Sequence, residues 1–431
     1  MTNLWPLRAV GTVDQVRVEA FRSCRRKTGI RSGGPFGISI PNDLSLQKLA
    51  RIEANHVALK HDIHASIGVE PMQLKMNESA EHETVDISSQ REVRYEHSKD
   101  LGRLLSELNL SLLITTYQAG KIALVGSHEE KLALSFHNFD RPMGVAINDD
   151  GDTMAVAAKN KIWFLRDAPK IASQLEPSTA ACFLTRSAQV TGEIQAHEMG
   201  FVGDKLWVVN TLFSCLCTLD PNFSFVPQWR PRFISSLAPE DRCHLNGLAM
   251  EAGQPRFVTA MGETNEAGGW RANKAQTGCL IDVTTHEVIA RGFAMPHSPR
   301  VHDGQIWLLD SGRGTLVRLD PNTGSSEIAA RFPGYTRGLA IHGRYAFIGL
   351  SRIRETSTFG GVPIAEDRDR LKCGVAVIDL QESRLLGQLE FKTGVEEVFD
   401  VSVIAGKPFA TMRGPFSEED GKNTIWTVPD A

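Results

Sequence analysis

HSPRVHDGQIWLLD, residues 297–310, combines a short apolar strand, an Asp-Gly turn and a second apolar strand, and this unit recurs along the chain. Its first strand has counterparts such as HEMGFV at 197–202 and YTRGLAI at 335–341. Consecutive units begin 38 to 63 residues apart, close to the ~40–50 residues that a propeller blade occupies. The six first strands begin at Arg141, His197, His244, His297, Tyr335 and Val398. This internal repeat predicts a β-propeller.

The rest of the chain from Leu110 onward indicates an all-β protein. Short runs of β-branched and aromatic residues, such as SLLITTY at 111–117, alternate with Gly, Asp-Pro and Asn-Asp turns, a pattern typical of strands. Many short strands fit a sandwich, a barrel or a propeller, and the repeat selects the propeller. The units predict six blades, with seven as the alternative. We expect strands within 110–136 to share the last blade with C-terminal strands near 401–411 and 424–428, which closes the ring.

Three of the repeat units carry a histidine at the same phase. His197, His244 and His297 each stand three positions before the residue aligned with the central glycine of the unit. Equivalent positions on the innermost strands of a propeller form a ring, so we expect these imidazoles to converge at one mouth of the channel. Three neutral imidazoles with an open fourth position describe a catalytic zinc site, and ligand type alone leaves copper, iron, nickel and manganese as alternatives. The competing interpretation is that each histidine hydrogen-bonds a neighbouring blade.

The other candidate site residues are polar side chains at the same rim. The two longest insertions, 262–278 and 351–374, follow second strands there, and long loops on one rim of a rigid scaffold often carry binding groups. Acid–base chemistry and charge stabilisation need carboxylates and cations. The candidate catalytic residues are Glu198, Glu263, Arg337 and Asp400. The candidate substrate-binding residues are Asn210, Asn246, Trp270, Arg300, Asp310 and Arg413. Turn capping is the alternative role for Asn210 and Asp310, and a salt bridge is the alternative for Arg337 with Asp400.

Composition excludes several classes of function. The 431 residues carry a formal net charge of -4, so no broad basic field points to nucleic acid. No stretch approaches the ~20 consecutive apolar residues of a membrane-spanning helix, and the N-terminus lacks a basic start followed by an apolar segment. We therefore expect a cytoplasmic protein without a membrane or nucleic-acid partner. The seven cysteines form no CxxC pair and are expected to be reduced thiols.

Residues 1–103 differ from the repeat region. Their last part, 78–99, is polar and charged without a clear period, so it offers little apolar surface for a core. We expect either a poorly structured N-terminal extension or a misassigned translation start, with Met72 or Met76 as the true first residue. The propeller domain is predicted to span 104–431.

Several long motifs resemble a bacterial family of conserved hypothetical β-propeller proteins. They are HLNGLAM at 244–250, GETNEAGGWR at 262–271, MPHSPRVHDGQIWLLDSG at 295–312 and YTRGLAIHGRYAFIGLSRIRE at 335–355. The matching motifs follow one another in order over about residues 104–415, which makes the resemblance specific. It implies a propeller and brings no established activity with it.

The arrangement of the candidate site is also similar to that of two types of six-bladed propeller enzyme. The peptidyl-hydroxyglycine lyase class holds zinc with one histidine from each of three blades, a design that His197, His244 and His297 match. The gluconolactonase and senescence-marker class uses Glu, Asn and Asp around a divalent ion, which Asn246 in LNGLA matches. Both similarities lie at the level of the fold.

Two hypotheses for function follow. The first is a metal-dependent lyase or hydrolase of a small or peptide-like substrate, with zinc as the expected metal. The second is a non-catalytic propeller that binds a protein or glycan partner through its loop-rich face. The chain has no GxGxxG before a helix, no GxxxxGK(S/T), no HExxH and no GxSxG, so nucleotide binding and the common hydrolase signatures lack support. The sequence does not specify the substrate or the oligomeric state.

Overall fold

The computed structural model describes residues 14–20, 91–175, 177–353, 360–415 and 425–429. Regular structure in this part of the chain consists of a few short helices and of β-strands in six sheets. The described elements belong to one unit, formed by residues 1–22 and 90–431. None of the described helices has the length and apolar character needed to cross a membrane. The predicted all-β class is confirmed.

The strands run in groups along the chain. The N-terminal part contains β1 (Asp14–Ala20), β2 (Arg91–His97) and helix α1 (Leu101–Glu107). Next come β3 (Leu110–Thr116), β4 (Lys121–His128) and β5 (Lys131–Asn138). They are followed by β6 (Val145–Ile147), β7 (Thr153–Ala158), β8 (Lys161–Asp167), helix α2 (Pro169–Ala172) and β9 (Ala181–Val190).

The central part of the chain contributes three groups of four strands. The first is β10 (Ala196–Val202), β11 (Lys205–Asn210), β12 (Cys215–Asp220) and β13 (Phe223–Trp229). The second is β14 (Leu245–Glu251), β15 (Gln254–Ala260), β16 (Gly278–Asp282) and β17 (Val288–Phe293), with the 3₁₀ helix Gly269–Arg271 between β15 and β16. The third is β18 (Pro296–His302), β19 (Gln305–Asp310), β20 (Thr315–Leu319) and β21 (Ser326–Arg331), with the 3₁₀ helix Ser311–Arg313 after β19.

The C-terminal part completes the set. It contains β22 (Tyr335–His342), β23 (Tyr345–Ser351), the 3₁₀ helix Pro363–Arg370, β24 (Gly374–Asp379) and β25 (Arg384–Phe391). The last strands are β26 (Asp400–Ala405) and β27 (Ala410–Arg413).

Each sheet forms one blade of a propeller. Three blades are the consecutive groups β10–β13, β14–β17 and β18–β21, and a fourth is β22–β25 extended by β2 and β1. The other two are β6–β9 with β27, and β26 with β3–β5. Each of the first strands β6, β10, β14, β18, β22 and β26 contacts the next, and β26 contacts β6 again. The ring therefore closes with six blades, as predicted.

The closing blade joins the two ends of the repeat region. Strand β26 pairs antiparallel with β3, with Asp400 opposite Thr115 and Ala405 opposite Leu110. The prediction that later C-terminal strands join this blade is wrong. Strand β27 pairs in parallel with β9 of the neighbouring blade, and 425–429 form no strand. The closing blade already has its four strands, whereas β9 offers an unpaired edge, and unpaired edges recruit further strands.

The hydrophobic core lies between neighbouring blades. Leu113 and Ile122 of the closing blade pack in one cluster with Val156, Leu165 and Phe183 of the next blade. A sheet with a neighbour on each face buries both faces, so its strands are continuously apolar rather than alternating. This explains β3, in which all seven residues are buried.

The glycine of the repeat marks the closest approach between inner strands. A Cβ on Gly144, just before β6, would overlap the carbonyl oxygen of His197 in the next blade, and one on Gly247 would overlap Pro299. Gly338 in addition has a φ of 80°, which side chains disfavour. The repeated glycine therefore sets the distance between blades around the channel.

Part of the predicted N-terminal extension, 1–103, belongs to a blade. Strand β2 pairs with β25, where Tyr95 lies opposite Phe391, and β1 pairs with β2. Tyr95 is buried in the same hydrophobic cluster as Phe391. Met72 and Met76 lie outside the described residues, and the expected domain boundary stays a prediction.

The cysteines of the described chain are free and buried. They are Cys182, Cys215, Cys217, Cys243, Cys279 and Cys373. Burial raises the pKa of Cys215 and of Cys243 to about 12, so these thiols are unreactive at neutral pH.

Candidate functional site

A pocket of about 390 Å³ lies where the six inner strands begin. It contains all three predicted metal ligands, His197, His244 and His297, together with Trp270 and Arg337. The predicted convergence of the histidines on one pocket is therefore present. The full lining is Tyr117, Arg141, Met143, Lys159, Glu193, Gln195, His197, Asp241, His244, Met261, Trp270, Arg271, Met295, His297, Arg337, Glu397 and Phe399.

Strained backbone positions two of the histidines. Gln195 and Met295 stand two residues before His197 and His297, and both have a φ of 55°, in the left-handed region that few non-glycine residues occupy. Their carbonyl oxygens lie 2.9 Å and 3.0 Å from Nδ1 of the respective imidazoles. Two blades thus repeat the same strained arrangement, and strain of this kind concentrates at functional sites.

The hydrogen bonds fix the tautomer of each ring. A carbonyl oxygen only accepts, so Nδ1 of His197 and of His297 carries the proton. The Thr211 hydroxyl lies 2.8 Å from Nδ1 of His197 and donates its own proton to a backbone carbonyl, so it too accepts from the imidazole. Nδ1 of His244 lies 2.9 Å from Oδ1 of Asp241. In His197 and His297, whose pKa values are lowered well below the usual range, Nε2 therefore keeps its lone pair. In all three rings the recorded hydrogen bonds involve Nδ1, and Nε2 has no hydrogen-bond partner among the described residues.

Burial keeps two of the imidazoles uncharged. Desolvation is the main cause that lowers the pKa of His197 and of His297 well below the usual value. The positive charge of Arg337 acts in the same direction on both. Neutral imidazole is the form that binds metal ions.

The spacing of the rings fits two metal ligands better than three. The ring centroids of His197 and His244 lie 5.0 Å apart, and two imidazoles bound to one tetrahedral ion at ~2.0–2.1 Å would have centroids roughly 5 Å apart. The ring of His297 packs edge-on against Tyr335 at 5.9 Å. Within the described ranges, no group of three or more His, Cys, Asp or Glu side chains is spaced to hold a metal ion. A metal held by all three histidines would need their rings to move closer.

Asp241 organises one wall of the pocket. Besides His244 it accepts a hydrogen bond from Nε1 of Trp270 at 3.0 Å, and Nη2 of Arg271 lies 3.5 Å from its Oδ2. The ring of Trp270 lies 4.3 Å from that of His244, and the side chain is only 1% exposed. Trp270 is therefore a fixed wall of the pocket.

Arg337 forms the opposite wall. Its guanidinium carbon lies 3.4 Å from the ring centroid of Phe399, and Phe399 in turn packs on His197 at 5.2 Å. Nη1 of Arg337 lies 3.5 Å from Oε1 of Glu397. The site therefore places a cation beside neutral imidazoles.

Three of the predicted residues form a buried charge cluster that does not line the pocket. Nη1 of Arg300 lies 3.2 Å from Oε2 of Glu198, which also accepts a hydrogen bond from the Leu248 amide at 2.7 Å. The Asp400 carboxylate accepts from the Val145 amide of the next blade at 3.1 Å. These carboxylates thus connect neighbouring inner strands. Burial, followed by the charge of Glu198, raises the pKa of Asp400 to about 7.

The raised pKa of Asp400 predicts a pH dependence of stability. Below the ordinary aspartate pKa of 3.8 the carboxyl is protonated in both the folded and unfolded states. Between that value and about 7 it ionises in the unfolded chain first, so its stabilising contribution falls as the pH rises. The melting temperature of the wild type minus that of Asp400→Asn should therefore decrease from pH 4 to pH 7 and then level off. A difference that stays constant or grows would contradict the assignment.

Two predicted substrate-binding residues have local hydrogen bonds. Asn210 accepts from the Phe213 amide at 3.0 Å. Asp310 accepts from the Ala294 amide at 2.7 Å and pairs with Arg313 at 2.6 Å. Neither lines the pocket, and both geometries match the alternative role of fixing turns.

The remaining predicted residues also lie outside the pocket. Asn246 accepts from the Thr259 hydroxyl at 2.6 Å, and Glu263 pairs with Arg291 at 2.6 Å. The expectation that Arg413 ends a second strand at the channel rim is wrong, because β27 lies at the outer edge of the β6–β9 blade.

Asp241, Glu397 and Phe399 line the pocket and were not among the sequence candidates. Asp241 stands three residues before His244 in a loop, outside the repeated phase that identified the histidines. Phe399 stands one residue after the position aligned with them in the sixth unit. A search of the flanks of each aligned position, rather than of the position alone, would have found all three.

Comparisons with known proteins place the chain in a family. Residues 99–412 match the family described as Domain of unknown function (DUF4915). The search of curated proteins returned no match. Among solved structures, the chain is similar to one from the crystal structure of a nidogen/laminin complex, with 8% identity, a TM-score of 0.41, and coverage of 69% of this chain and 99% of that one. Since this likeness is weak, the fold assignment rests on the six sheets themselves. The family match spans most of the propeller, and the chain therefore belongs to the DUF4915 family.

Proposed function

We propose that the pocket binds a divalent transition metal through Nε2 of His197, His244 and His297, whose rings move closer together on binding, and that the protein is a metal-dependent lyase or hydrolase of a small or peptide-like substrate. The observation that carries the proposal is the common state of the three rings. Each Nδ1 is anchored by an acceptor, and each Nε2 is left without a partner among the described residues beside the same pocket.

The donor set supports this proposal. Metal-binding histidines nearly always donate their other ring N–H to a carboxylate, a carbonyl or a water, which orients the ring. Asp241 serves His244 in this way, and carbonyl oxygens serve the other two rings. Three nitrogen ligands with an open position suit zinc in its catalytic form. When bound, such an ion polarises a substrate oxygen or lowers the pKa of a bound water to about 7.

The chain's own residues define what else the site contributes. Of the four candidate catalytic residues, Arg337 lines the pocket, whereas Glu198 and Asp400 hold backbone amides and Glu263 pairs with Arg291. Arg337 is therefore the group that can offset negative charge on a ligand or on a developing oxyanion. Trp270 and Phe399 line the same pocket as Arg337.

The test is metal analysis of full-length protein after reconstitution with zinc and, separately, with copper, nickel, manganese and ferrous iron. We expect about one equivalent of zinc per chain, as for a site with one set of three ligands. Single alanine variants of His197, His244 and His297 should each lose it. His302→Ala is the matched control, because His302 stands at the opposite end of the strand that carries His297.

Thermal unfolding of each variant separates loss of a ligand from loss of the fold. No bound metal in the wild type under any of these conditions would overturn the proposal. The protein would then be a non-catalytic propeller, and a search for a protein or glycan partner would follow. Retention of metal in all three variants would also contradict it.

A further inference from the structure

Arg337 has a nitrogen that the protein does not satisfy. The residue lies in β22 at the start of an inner strand and is 6% exposed. Its Nη2 has no hydrogen-bond partner among the described residues. Its Nη1 lies 3.5 Å from Glu397, longer than the ~2.7–2.9 Å of a strong charge-assisted hydrogen bond. The guanidinium is thus a buried charged donor with unused capacity.

A buried guanidinium with an unpaired N–H is energetically unfavourable unless a ligand supplies the missing acceptor. A buried charged donor without an acceptor carries the full desolvation penalty of its unmade hydrogen bond. The side chain is held in place by stacking on Phe399, with its guanidinium carbon 3.4 Å from the ring centroid. A guanidinium with a fixed plane and free N–H groups matches the geometry of a carboxylate or phosphate, which can accept two parallel hydrogen bonds.

Two of the other three cations that line the pocket already have carboxylate partners. Lys159 lies 3.2 Å from Glu193, and Arg271 lies 3.5 Å from Asp241. Their charges are balanced at short range by carboxylates that are not shared with Arg337. Arg141, the third, is partly exposed, so Arg337 is distinguished as the buried cation of the pocket that carries an N–H without an acceptor among the described residues.

The surroundings of Arg337 indicate the rest of the ligand. Met143, Met295 and Phe399 line the same pocket, so the anionic group would sit next to apolar walls. A volume of about 390 Å³ lies toward the small end of the ~300–1,000 Å³ typical of ligand pockets. An inorganic anion alone would leave most of this space without contacts.

We propose that Arg337 binds the anionic oxygen group of the ligand, and that the ligand is a small organic acid with an apolar body, carrying a carboxylate or a phosphate ester. The inference deepens the proposed function, since it places the ligand in the pocket of the three histidines. Recognition by Arg337 does not itself need a metal, so it can be tested on metal-free protein.

The experiment measures binding to full-length protein dialysed against EDTA, by calorimetry and by the shift in melting temperature. The probes are 3-phenylpropionate, its neutral amide 3-phenylpropionamide, phenyl phosphate and inorganic phosphate. We expect one or both of the organic acids to bind saturably, the amide to bind at least about tenfold more weakly, and inorganic phosphate to bind more weakly than the organic acids. The ratio between 3-phenylpropionate and phenyl phosphate decides which anionic group is preferred.

Substitutions assign the binding to the residue. Arg337→Met should weaken binding of the preferred acid about tenfold or more, and Arg337→Lys should give an intermediate loss because it keeps the charge without the planar fork. Arg384→Met is the matched control, since Arg384 is 58% exposed and pairs with Glu382 away from the pocket. It should bind as the wild type does.

Two results would overturn the inference: equal binding of acid and amide by the wild type, or unchanged acid binding by folded Arg337→Met. If neither of the two organic acids binds, the inference is overturned as well. If Arg337→Met fails to fold, the comparison of acid with amide in the wild type decides the matter. Anion binding without metal uptake would refute the proposed function alone, whereas metal uptake without anion binding would refute this inference alone.

Discussion

Glu198→Ala is expected to destabilise the folded protein by about 3 kcal/mol, at the lower end of the range for breaking a buried ion pair, because Glu198 is buried while its partner Arg300 is 26% exposed. Arg300 would keep its charge without the carboxylate 3.2 Å away, and the Leu248 amide would lose its acceptor. Glu198 and Leu248 are both buried, so solvent cannot easily replace the acceptor that the Leu248 amide loses. Urea or guanidinium denaturation monitored by tryptophan fluorescence measures the effect, provided that unfolding is reversible.

A double-mutant cycle separates the ion pair from the lost amide contact. Glu198→Gln keeps an acceptor for Leu248 and should cost less than Glu198→Ala. The double variant Arg300→Met/Glu198→Gln should lose less unfolding free energy than the two single variants lose in sum, because neither charge is then left without its partner. Glu327→Ala is the surface control, because Glu327 is 62% exposed and exposed pairs contribute ~0–1 kcal/mol. A Glu198→Ala effect as small as that of the control would show that the cluster does not hold the inner strands together.

Gly144→Ala should destabilise the protein by about 3 kcal/mol or more, at or above the upper end of the usual overpacking range. The added methyl group would overlap the carbonyl oxygen of His197 and lie within 3.0 Å of Cα of Glu198. Because both obstacles are backbone atoms of the next blade, no side-chain rotation relieves the clash. Thermal unfolding and the yield of soluble protein measure the outcome.

Gly360→Ala provides the comparison. A Cβ on Gly360 meets no atom of the described residues within 4 Å, so this substitution should change the melting temperature little. If Gly144→Ala were as mild as Gly360→Ala, the inner strands would be able to move apart. The glycine of the repeat would then not set the spacing of the blades.

The repeat predicted the propeller because its signal is local and periodic. The strand, turn and strand of each unit recur at blade length, and the phase of His197, His244 and His297 translates into a shared pocket through the symmetry of the ring. Arg337 stands one position before Gly338, the aligned glycine of its unit, and alternation along the strand puts this position on the same face as the histidine position. Each of these predictions needed only the position of a residue in an inner strand and the rotational symmetry of the ring. None of them needed knowledge of contacts between distant loops.

The features that the sequence did not predict depend on contacts between loops or on competition between edges. The residues of β27 do not indicate whether this strand pairs with the edge of β9 or with the edge of the closing blade. Asp241 lies in a loop, and its contact with Trp270 exists only after that loop has packed against the insertion 262–278. Glu263 has the chemistry of a catalytic acid, but Arg291 on a neighbouring strand pairs with it. Residue type alone contains no information about such partners.

The way in which the ring closes has a consequence for biosynthesis. Thr115 of β3 pairs with Asp400 of β26, so about 285 residues separate the two strands, and a ribosome needs roughly 15–60 s to translate them at ~5–20 residues per second. During that time β3, which is fully buried in the finished protein, has no β26 beside it and exposes an apolar edge of the kind that aggregates. Blades in the middle of the chain can assemble as they emerge, but the ring closes only near the end of synthesis. We therefore expect the nascent chain to bind chaperones that cover unpaired strands until translation reaches β26.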